Sequence, residues 1–490
     1  MTHRLEDTPH IAAQSAPVSI EAYFEHVERI PCVKPQSILL TFPLRPQFVH
    51  NTVDLGLGNL YMALRLAGYP VNLNLDEWKP EQFRAYFEQN RVDVVGIKCY
   101  GSATKQIIET VSLIRKISPD TLIVIGGPLC YADAQNALRL VPADFAFHGE
   151  CEESLPLFLD RYYAGDQRYR DVEGLIYKQG DAIMVNKIAI VKDINAIPYS
   201  AFHKMRPTPR SVNYYYRNYP NAVLLKSRGC PASCRFCANP FEYRERDIEY
   251  LMEEIQYLKR RWGVKELVFF DNNFNANKQH TRKLCARMIQ DKVNLPFNVV
   301  HGMRVGTVDE ETVELMARAG CYKVSIGVES GDQKMLDYIN KGYKAKELPS
   351  RVGILKKFGI EVQAFVMIGL PYETDAQRRA TLDTTLNIPF DHVTYNIYTP
   401  YPGTELYVEL VQNGVLAEKS YDLTSYSRTH TDNRLTKHSP RFLRWCAVYY
   451  FLRFYFRPAQ VYRTLKEFTR HPSACYSVFY AFYKTYINAN

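Results

Sequence analysis

The chain has 490 residues, which is long enough for two or three domains of ordinary size. Its hydrophobic content of 46% and charged content of 23% are typical of a globular protein. The net charge of +9 is not concentrated in a Lys/Arg tract, so we predict no nucleic-acid partner. No run approaches the roughly 20 apolar residues that a membrane span requires, so we predict no transmembrane segment.

The cysteines indicate the compartment. There are eleven of them, an odd number, and the start of the chain lacks an apolar signal segment. Both features argue against a disulfide framework. We therefore expect a cytoplasmic protein.

Residues 1–34 are predicted to form a tail with a short helix, and residues 35–165 a first α/β domain. The predicted strands of this domain cover residues 37–42, 71–75, 92–97 and 121–125, with helices at 57–66 and 104–117. Because the strands are rich in β-branched residues and nearly free of charge, they predict a parallel sheet with both faces covered.

Four residues follow the carboxyl ends of these strands. Lys98 and Tyr100 come after the third strand, and Gly126 and Gly127 after the fourth. Parallel sheets bind ligands at that edge, and a glycine pair lets the backbone approach a bulky ligand closely. The four residues are therefore candidate cofactor contacts, although an α/β domain without any ligand explains the pattern equally well.

Residues 166–220 are predicted to be a connector. Within it, 172–177 and 182–185 read as two short strands separated by Lys-Gln-Gly-Asp, which predicts a hairpin.

The most informative motif is the loop that carries Cys230, Cys234 and Cys237 with C-x3-C-x2-C spacing. A four-iron cluster needs four ligands, so three thiolates would leave one iron open for a substrate or cofactor. The alternatives are a structural zinc site and chance clustering. Zinc sites usually need four ligands in C-x2-C pairs, but the chain has no second pair and Cys285 stands alone.

This spacing, with Phe236 just before the last cysteine, resembles the signature of the radical S-adenosylmethionine (SAM) superfamily. The resemblance implies an enzyme whose [4Fe-4S] cluster binds SAM through its open iron. One electron then cleaves SAM to methionine and a 5′-deoxyadenosyl radical, which abstracts hydrogen from the substrate. It also implies an electron donor such as flavodoxin or ferredoxin.

The radical SAM segment is predicted to span residues 221–410. Its six strands are predicted at 222–226, 266–270, 297–300, 323–328, 361–367 and 392–397. Six strands are fewer than the eight of a complete TIM barrel, so we predict a partial (β/α)6 TIM-type barrel that is open on one side.

Polar residues at the ends of these strands are candidate SAM contacts. Asn272 and Asn273 stand where relatives meet the methionine amine, or are structural turn residues. Arg304 suits the methionine carboxylate, or pairs with a neighbour in the barrel. Glu329 and Ser330 suit ribose hydroxyls, although Ser330 could instead cap a helix.

Two further turns support the resemblance. Gly369 begins a Gly-Leu-Pro-Tyr-Glu-Thr turn that matches the superfamily, where backbone groups lie against the adenine. Residues 399–404 (Thr-Pro-Tyr-Pro-Gly-Thr) resemble a loop of cobalamin-type radical enzymes and are assigned no chemistry.

The N-terminal domain, with Gly-Gly-Pro at 126–128 and His-Gly-Glu-Cys-Glu-Glu at 148–153, resembles the cobalamin-binding domain of those enzymes. The resemblance implies a Rossmann-like domain and cobalamin as a cofactor. One departure is that the D-x-H-x-x-G motif is missing: His50 lacks the preceding Asp and the following Gly. His50 then reads as an ordinary loop histidine, and the domain is either without a histidine ligand to cobalt or vestigial.

Residues 411–490 are predicted to be a C-terminal helical region, rich in aromatic and basic residues. Its helices either pack on the barrel or present a basic face to an anionic substrate or a membrane surface.

The predicted function is C-methylation of an unactivated carbon in a small-molecule or lipid-like substrate. The rival within the superfamily is a cyclase, oxidase or dehydratase that transfers no methyl group. Methylthiolation of transfer RNA predicts a second cysteine triad and a basic RNA module, and the sequence has neither. A sensor that binds cobalamin and a cluster is the non-enzymatic alternative.

Overall fold

The computed structural model describes residues 19–44, 54–205, 216–239, 241–416 and 435–470. The strands are β1 (Ile38–Thr41), β2 (Val71–Leu73), β3 (Val94–Lys98), β4 (Leu122–Gly126), β5 (Phe145–Phe147), β6 (Leu175–Gln179), β7 (Ala182–Val185), β8 (Asn221–Leu224), β9 (Ser227–Arg228), β10 (Arg244–Glu245), β11 (Glu266–Phe269), β12 (Phe297–Met303), β13 (Cys321–Glu329), β14 (Glu361–Ile368) and β15 (His392–Ile397). The helices are α1 (Ile20–Arg29), α2 (Leu55–Leu66), α3 (Pro80–Gln89), α4 (Thr104–Ile117), α5 (Pro128–Ala132), α6 (Ala137–Leu140), α7 (Ser154–Tyr163), α8 (Ile248–Trp262), α9 (Lys278–Gln290), α10 (Glu310–Arg318), α11 (Gln333–Tyr338), α12 (Leu348–Lys357), α13 (Asp375–Asn387), α14 (Glu405–Gln412), α15 (Pro440–Tyr455) and α16 (Pro458–Arg470).

The first sheet has seven strands in the order β2-β1-β3-β4-β5-β6-β7. Its first five strands are parallel, and both faces are covered, as the sequence predicts. Leu40 and Val94 belong to the buried cluster that includes Met62 of α2, whereas Leu39 and Val95 belong to the cluster that includes Ile107 of α4. From β1 the strands are added first to one side of the sheet (β2) and then to the other (β3 onward), so the strand order reverses between β1 and β3. Such sheets bind ligands at the carboxyl ends of the strands at this point.

The predicted hairpin is confirmed as β6 and β7, which pair antiparallel to each other. Strand β6 also pairs with β5, so the first sheet continues past residue 165 into the segment that was predicted to be a connector.

The second sheet contains six parallel strands in the order β15-β14-β13-β12-β11-β8. Each strand lies beside the previous one along the chain, with helices between successive strands from β8 onward, which is the winding of a TIM-type barrel. Among the described residues the sheet ends at β8 and β15, which do not pair with each other. The prediction of a partial barrel with six strands is confirmed.

Helix α1 lies between the two halves of the molecule. Its buried residues are Ile20, Phe24 and Val27, and the Phe24 ring meets Tyr257 of α8 at a centroid distance of 5.1 Å. Arg65 of α2 donates hydrogen bonds to carbonyl groups at the end of α1. The short helix predicted near the N-terminus therefore joins the α/β domain to the barrel.

The C-terminal helices α15 and α16 lie beside the edge strand β15. Leu443, Tyr450 and Phe454 of α15 are buried, and the Tyr455 hydroxyl donates to the Val393 carbonyl at 3.2 Å. Helical packing on the barrel is thus confirmed for 440–470, whereas residues 471–490 and His50 lie outside the described residues. Within the described segments, no helix is both long and apolar enough to cross a membrane.

Candidate functional site

The cysteine loop leaves the second sheet after β8 and is closed at its base by the short ladder of β9 and β10. Gly229 begins the loop with φ +77, and a Cβ there would lie 1.9 Å from the Glu242 carbonyl oxygen. Only glycine fits that position. The Cys230 N–H donates to the Phe241 carbonyl at 3.2 Å, so the two arms of the loop are fixed against each other.

The three predicted ligands share this loop. Cys230 and Cys234 are half-buried, Cys237 is exposed, and the Cys237 N–H donates to the Cys234 carbonyl at 3.0 Å. Burial raises the pKa of the Cys234 thiol. In the part of the chain that the structure describes, no three His, Cys, Asp or Glu side chains are arranged to hold a single metal ion.

The loop after β11 contacts the cysteine loop directly. The Asn273 side chain is buried, and its Nδ2 donates to Cys230 Sγ at 3.8 Å, while its Oδ1 is buried without a hydrogen-bond partner. Asn272 is exposed, and its amide lies 3.5 Å from Asn239 Oδ1. Asp271, which the sequence analysis did not single out, is fully buried and accepts a hydrogen bond from the Ser227 hydroxyl.

Arg304 follows β12 and is held by two contacts. Its N–H donates to Asn275 Oδ1 at 2.9 Å, and its guanidinium donates to the Lys341 carbonyl at 3.3 Å. A Cβ on Gly342 would lie 2.0 Å from Arg304 Nη2, so the guanidinium occupies the space that the glycine leaves.

Glu329 ends β13 and forms a buried ion pair with Lys341 at 2.7 Å. Burial alone would lower the pKa of Lys341, but the Glu329 carboxylate, together with Cys234 and Cys237, outweighs burial and holds the pKa above its ordinary value. The Lys341 ammonium also lies 5.6 Å from the centre of the Phe236 ring, which places it beside the cysteine loop. Sequence reasoning missed Lys341, because a lysine just after a helix reads as a solvated charge.

The other two predicted SAM residues have partners within the protein. Ser330 is fully buried, lies 3.3 Å from the Thr381 hydroxyl and accepts from the Asp332 N–H at 3.2 Å. The Gly369 N–H donates to Glu373 Oε2 at 2.7 Å. Burial raises the pKa of Glu373 to about 7.

At the carboxyl edge of the first sheet, Lys98 forms an ion pair with Asp54 at 2.6 Å. Asp54 also caps α2, because it accepts from the Leu57 N–H at 2.8 Å. The Lys98 ammonium lies 5.5 Å from the centre of the Tyr100 ring. Gly126 pairs with Lys98 across the sheet, and Gly127 has φ +102. The structure thus brings all four predicted residues together at the point where the strand order reverses.

The two candidate edges face each other. The Tyr131 ring at the end of α5 meets Phe241 of the cysteine loop at a centroid distance of 5.6 Å. Burial raises the pKa of Tyr131 to about 12, with Lys98 and Cys237 both close enough to influence it. A Cβ on Gly403, in the predicted Thr-Pro-Tyr-Pro-Gly-Thr loop, would lie 2.9 Å from the Ala132 carbonyl oxygen. The edge at Lys98 and the cysteine loop therefore border one space.

Comparison with protein families gives two matches. Residues 224–385 match the radical SAM superfamily, and residues 47–159 match the B12-binding domain. The chain therefore contains a B12-binding domain followed by a radical SAM domain. The predicted fold class, an α/β protein in which the B12-binding unit precedes the radical SAM unit, is confirmed.

Among curated relatives, an uncharacterized methyltransferase of Pyrococcus horikoshii is 27% identical over 66% of this chain and 70% of that relative. The cytidylyl-2-hydroxyethylphosphonate methyltransferase of Streptomyces wedmorensis is 24% identical over 79% and 84% of the two chains. The anaerobic magnesium-protoporphyrin IX monomethyl ester cyclase of Cereibacter sphaeroides is 27% identical over 71% of this chain and 58% of its own length.

Two solved structures share the fold. The radical SAM methyltransferase TsrM from Kitasatospora setae, with cobalamin and a [4Fe-4S] cluster bound, has a TM-score of 0.66 at 17% identity, over 87% and 83% of the chains. The cobalamin-dependent radical SAM enzyme OxsB has a TM-score of 0.68 at 16% identity, over 93% of this chain and 72% of its own.

The radical SAM and B12-binding domains imply a [4Fe-4S] cluster, SAM and cobalamin as cofactors, and the residues present fit them. Three thiols on one loop, with the amide of Asn273 against Cys230, are the donors that a four-iron cluster with one open iron would need. Paired charges at Glu329 and Lys341 lie beside that loop and suit a zwitterionic amino acid group. At the facing edge, the end of β3 at Lys98 lies beside the Gly126-Gly127 pair, and an edge of this kind would suit a bulky cofactor such as cobalamin.

Proposed function

We propose that the protein transfers a methyl group to an unactivated carbon of a small-molecule substrate. The observation that supports the proposal is the contact between Tyr131 and Phe241, because it brings the domain that carries the edge at Lys98 against the loop of the three cysteines. A substrate between them would be within reach of both hydrogen abstraction and methyl delivery.

When bound, the cluster supplies the electron that cleaves SAM, and cobalamin supplies the methyl group. Within this proposal Cys230, Cys234 and Cys237 hold the cluster. Arg304 and Lys341 offer positive charge to the methionine carboxylate, and Glu329 offers negative charge to the amine or the ribose. Asn272 and Asn273 hold the amine side of the site, while Phe236, Ser330 and Gly369 shape the part that receives the nucleoside.

Lys98 and Asp54 form a fixed polar pair at the end of β3, and we assign to them and Tyr100 the contacts with cobalamin. The exchange consumes two SAM molecules and two electrons for each methyl group, and releases methionine, 5′-deoxyadenosine and S-adenosylhomocysteine. The electrons come from an external donor of the flavodoxin or ferredoxin type.

The test uses anaerobically purified protein reconstituted with iron, sulfide and cobalamin, then reduced in the presence of SAM with a deuterated methyl group. Candidate substrates are screened by mass spectrometry for a gain of one labelled methyl group. Methyl transfer predicts 5′-deoxyadenosine and S-adenosylhomocysteine in equal amounts, both dependent on substrate. Formation of 5′-deoxyadenosine alone with a turned-over substrate contradicts the proposal.

That second outcome defines the other candidate, a radical cyclisation or oxidation without methyl transfer. The similarity to the magnesium-protoporphyrin cyclase of Cereibacter sphaeroides favours it. A turned-over substrate whose mass falls or stays constant, with no S-adenosylhomocysteine, identifies this chemistry.

A further inference from the structure

Two acidic residues of the B12-binding domain contact the base of the cysteine loop. Glu152 pairs with Arg228 at 2.7 Å, and Glu150 pairs with Arg244 at 2.6 Å and with Arg228 at 3.4 Å. The second Arg244 nitrogen donates to the other Glu150 oxygen at 2.8 Å, so that pair is bidentate. We call these four residues the interdomain clamp.

The clamp is buried and well fixed on the side of the B12-binding domain. The four side chains are between 7% and 15% exposed. The Glu150 carboxylate also accepts from the Val191 N–H at 2.8 Å, and the Glu150 N–H donates to the Ala189 carbonyl at 2.8 Å. A bidentate arginine–carboxylate pair sets direction as well as distance, so Glu150 fixes the Arg244 guanidinium, while Arg228 is held between Glu150 and Glu152.

The two arginines stand at the two ends of the cluster loop. Arg228 precedes Gly229 and Cys230, and Arg244 lies opposite Arg228 in the β9–β10 ladder that closes the loop. A displacement of the carboxylates would therefore move the whole loop, rather than one of its sides.

We propose that Glu150 and Glu152 are positioning residues that set the distance between the cluster and cobalamin. Both residues belong to the domain that contains the edge at Lys98. Their partners, Arg228 and Arg244, lie at the two ends of the loop that contains the three cysteines. Tyr131 meets Phe241 on the same loop, so the clamp and this ring contact restrain the loop at two separate points. In this role Glu150 and Glu152 act through Arg228 and Arg244.

The experiment measures that distance without a substrate. Anaerobic protein is loaded with both cofactors and prepared with a reduced, paramagnetic cluster and cob(II)alamin. The magnetic dipolar coupling between the two centres then reports their separation. The variant is Glu150→Gln with Glu152→Gln, and the matched control is Glu153→Gln, an exposed neighbour of the same type.

We expect one narrow distance distribution for the native protein and the control, and a broadened or shifted distribution for the double variant at unchanged iron and cobalamin content. A lower unfolding temperature with an unchanged distribution would mean that the clamp is structural only, and would overturn the proposal. Methyl transfer is not needed for this readout, so the proposed function can fail independently.

Where the double variant does not load both cofactors, Arg244→Lys and Arg244→Met provide a milder pair. Lysine keeps the charge opposite Glu150 but loses the bidentate contact, whereas methionine removes both. The proposal expects the disturbance of the distance to be larger for methionine. Equal, native distributions in both variants would contradict it.

Discussion

Replacing Lys341 with methionine tests the electrostatics of the SAM side of the site. The Lys341 and Glu329 side chains are 14% and 10% exposed, and the ion pair between them measures 2.7 Å. Methionine keeps the length of the side chain but leaves the Glu329 carboxylate buried without its counterion. Breaking a buried pair from one side costs about 3 to 5 kcal/mol, because the remaining charge has lost its water.

The measurement is chemical unfolding of the cofactor-free protein. The matched control is Lys344→Met, since Lys344 pairs with Asp337 at 3.4 Å but both side chains are 58% exposed. An exposed pair of this kind contributes about 0 to 1 kcal/mol. Adding Glu329→Gln to Lys341→Met should recover part of the loss, because the uncompensated carboxylate is gone. Equal costs for Lys341→Met and Lys344→Met would refute the reasoning.

Three further predictions concern the cluster loop and the domain boundary. Gly229→Ala should abolish cluster assembly, measured as bound iron after reconstitution, because its Cβ would lie 1.9 Å from the Glu242 carbonyl; Gly263→Ala, also at positive φ but with open space around it, should keep full iron. Alanine at Cys230, Cys234 or Cys237 should remove the cluster absorbance, whereas alanine at the exposed Cys32 should not; a retained cluster in any of the first three would exclude that ligand. Glu254 lines a small cavity between the domains with Asn59 and Arg228, and burial raises its pKa from 4.5 to about 7. Glu254 therefore ionises at a lower pH in the unfolded chain than in the folded protein. Its burial lowers the free energy of unfolding progressively as the pH rises from 4.5 to about 7, and above pH 7 the loss stays constant. Glu254→Gln should stabilise by about 1 kcal/mol at pH 5 and by roughly 3 kcal/mol at pH 8 in thermal or chemical unfolding, and a gain that does not grow with pH would contradict this origin.

Most strands of the two sheets could be predicted, because the residue pattern of a strand lies within a few consecutive residues. Predicted strands at 266–270 and 392–397 became β11 and β15 with bounds that differ by one residue or none. The helix predicted at 104–117 is α4, with the same bounds. Runs of β-branched residues bounded by turns carry this information within a short window.

The partners of the site residues were less accessible, because they lie far apart in the sequence. Glu150 and Glu152 are 76 or more residues from the arginines they contact, and nothing in the motif His-Gly-Glu-Cys-Glu-Glu indicates an arginine partner. Tyr131 reads as one residue of a short helix until the structure brings it against Phe241. Gly342 was a weak signal in the sequence for the contact between Arg304 and the segment at Lys341. It directly follows Lys341, and its missing Cβ leaves the space that the Arg304 guanidinium occupies.

The incomplete barrel explains why the domain that contains Lys98 can contact the cysteine loop. Strand β8 carries the cysteine loop and is also the edge of the six-stranded sheet, so no further strand stands between it and the B12-binding domain. Leu55, at the start of α2, packs in the same apolar cluster as Val223 of β8, and the Ser200 hydroxyl donates to the Leu55 carbonyl at 3.2 Å. Two more strands, as in a closed eight-stranded barrel, would occupy the space between Leu55 and Val223 and would separate the clamp carboxylates from Arg228. The open edge at β8 is therefore a condition for the contact between the domains, and the clamp forms where that edge meets the cluster loop.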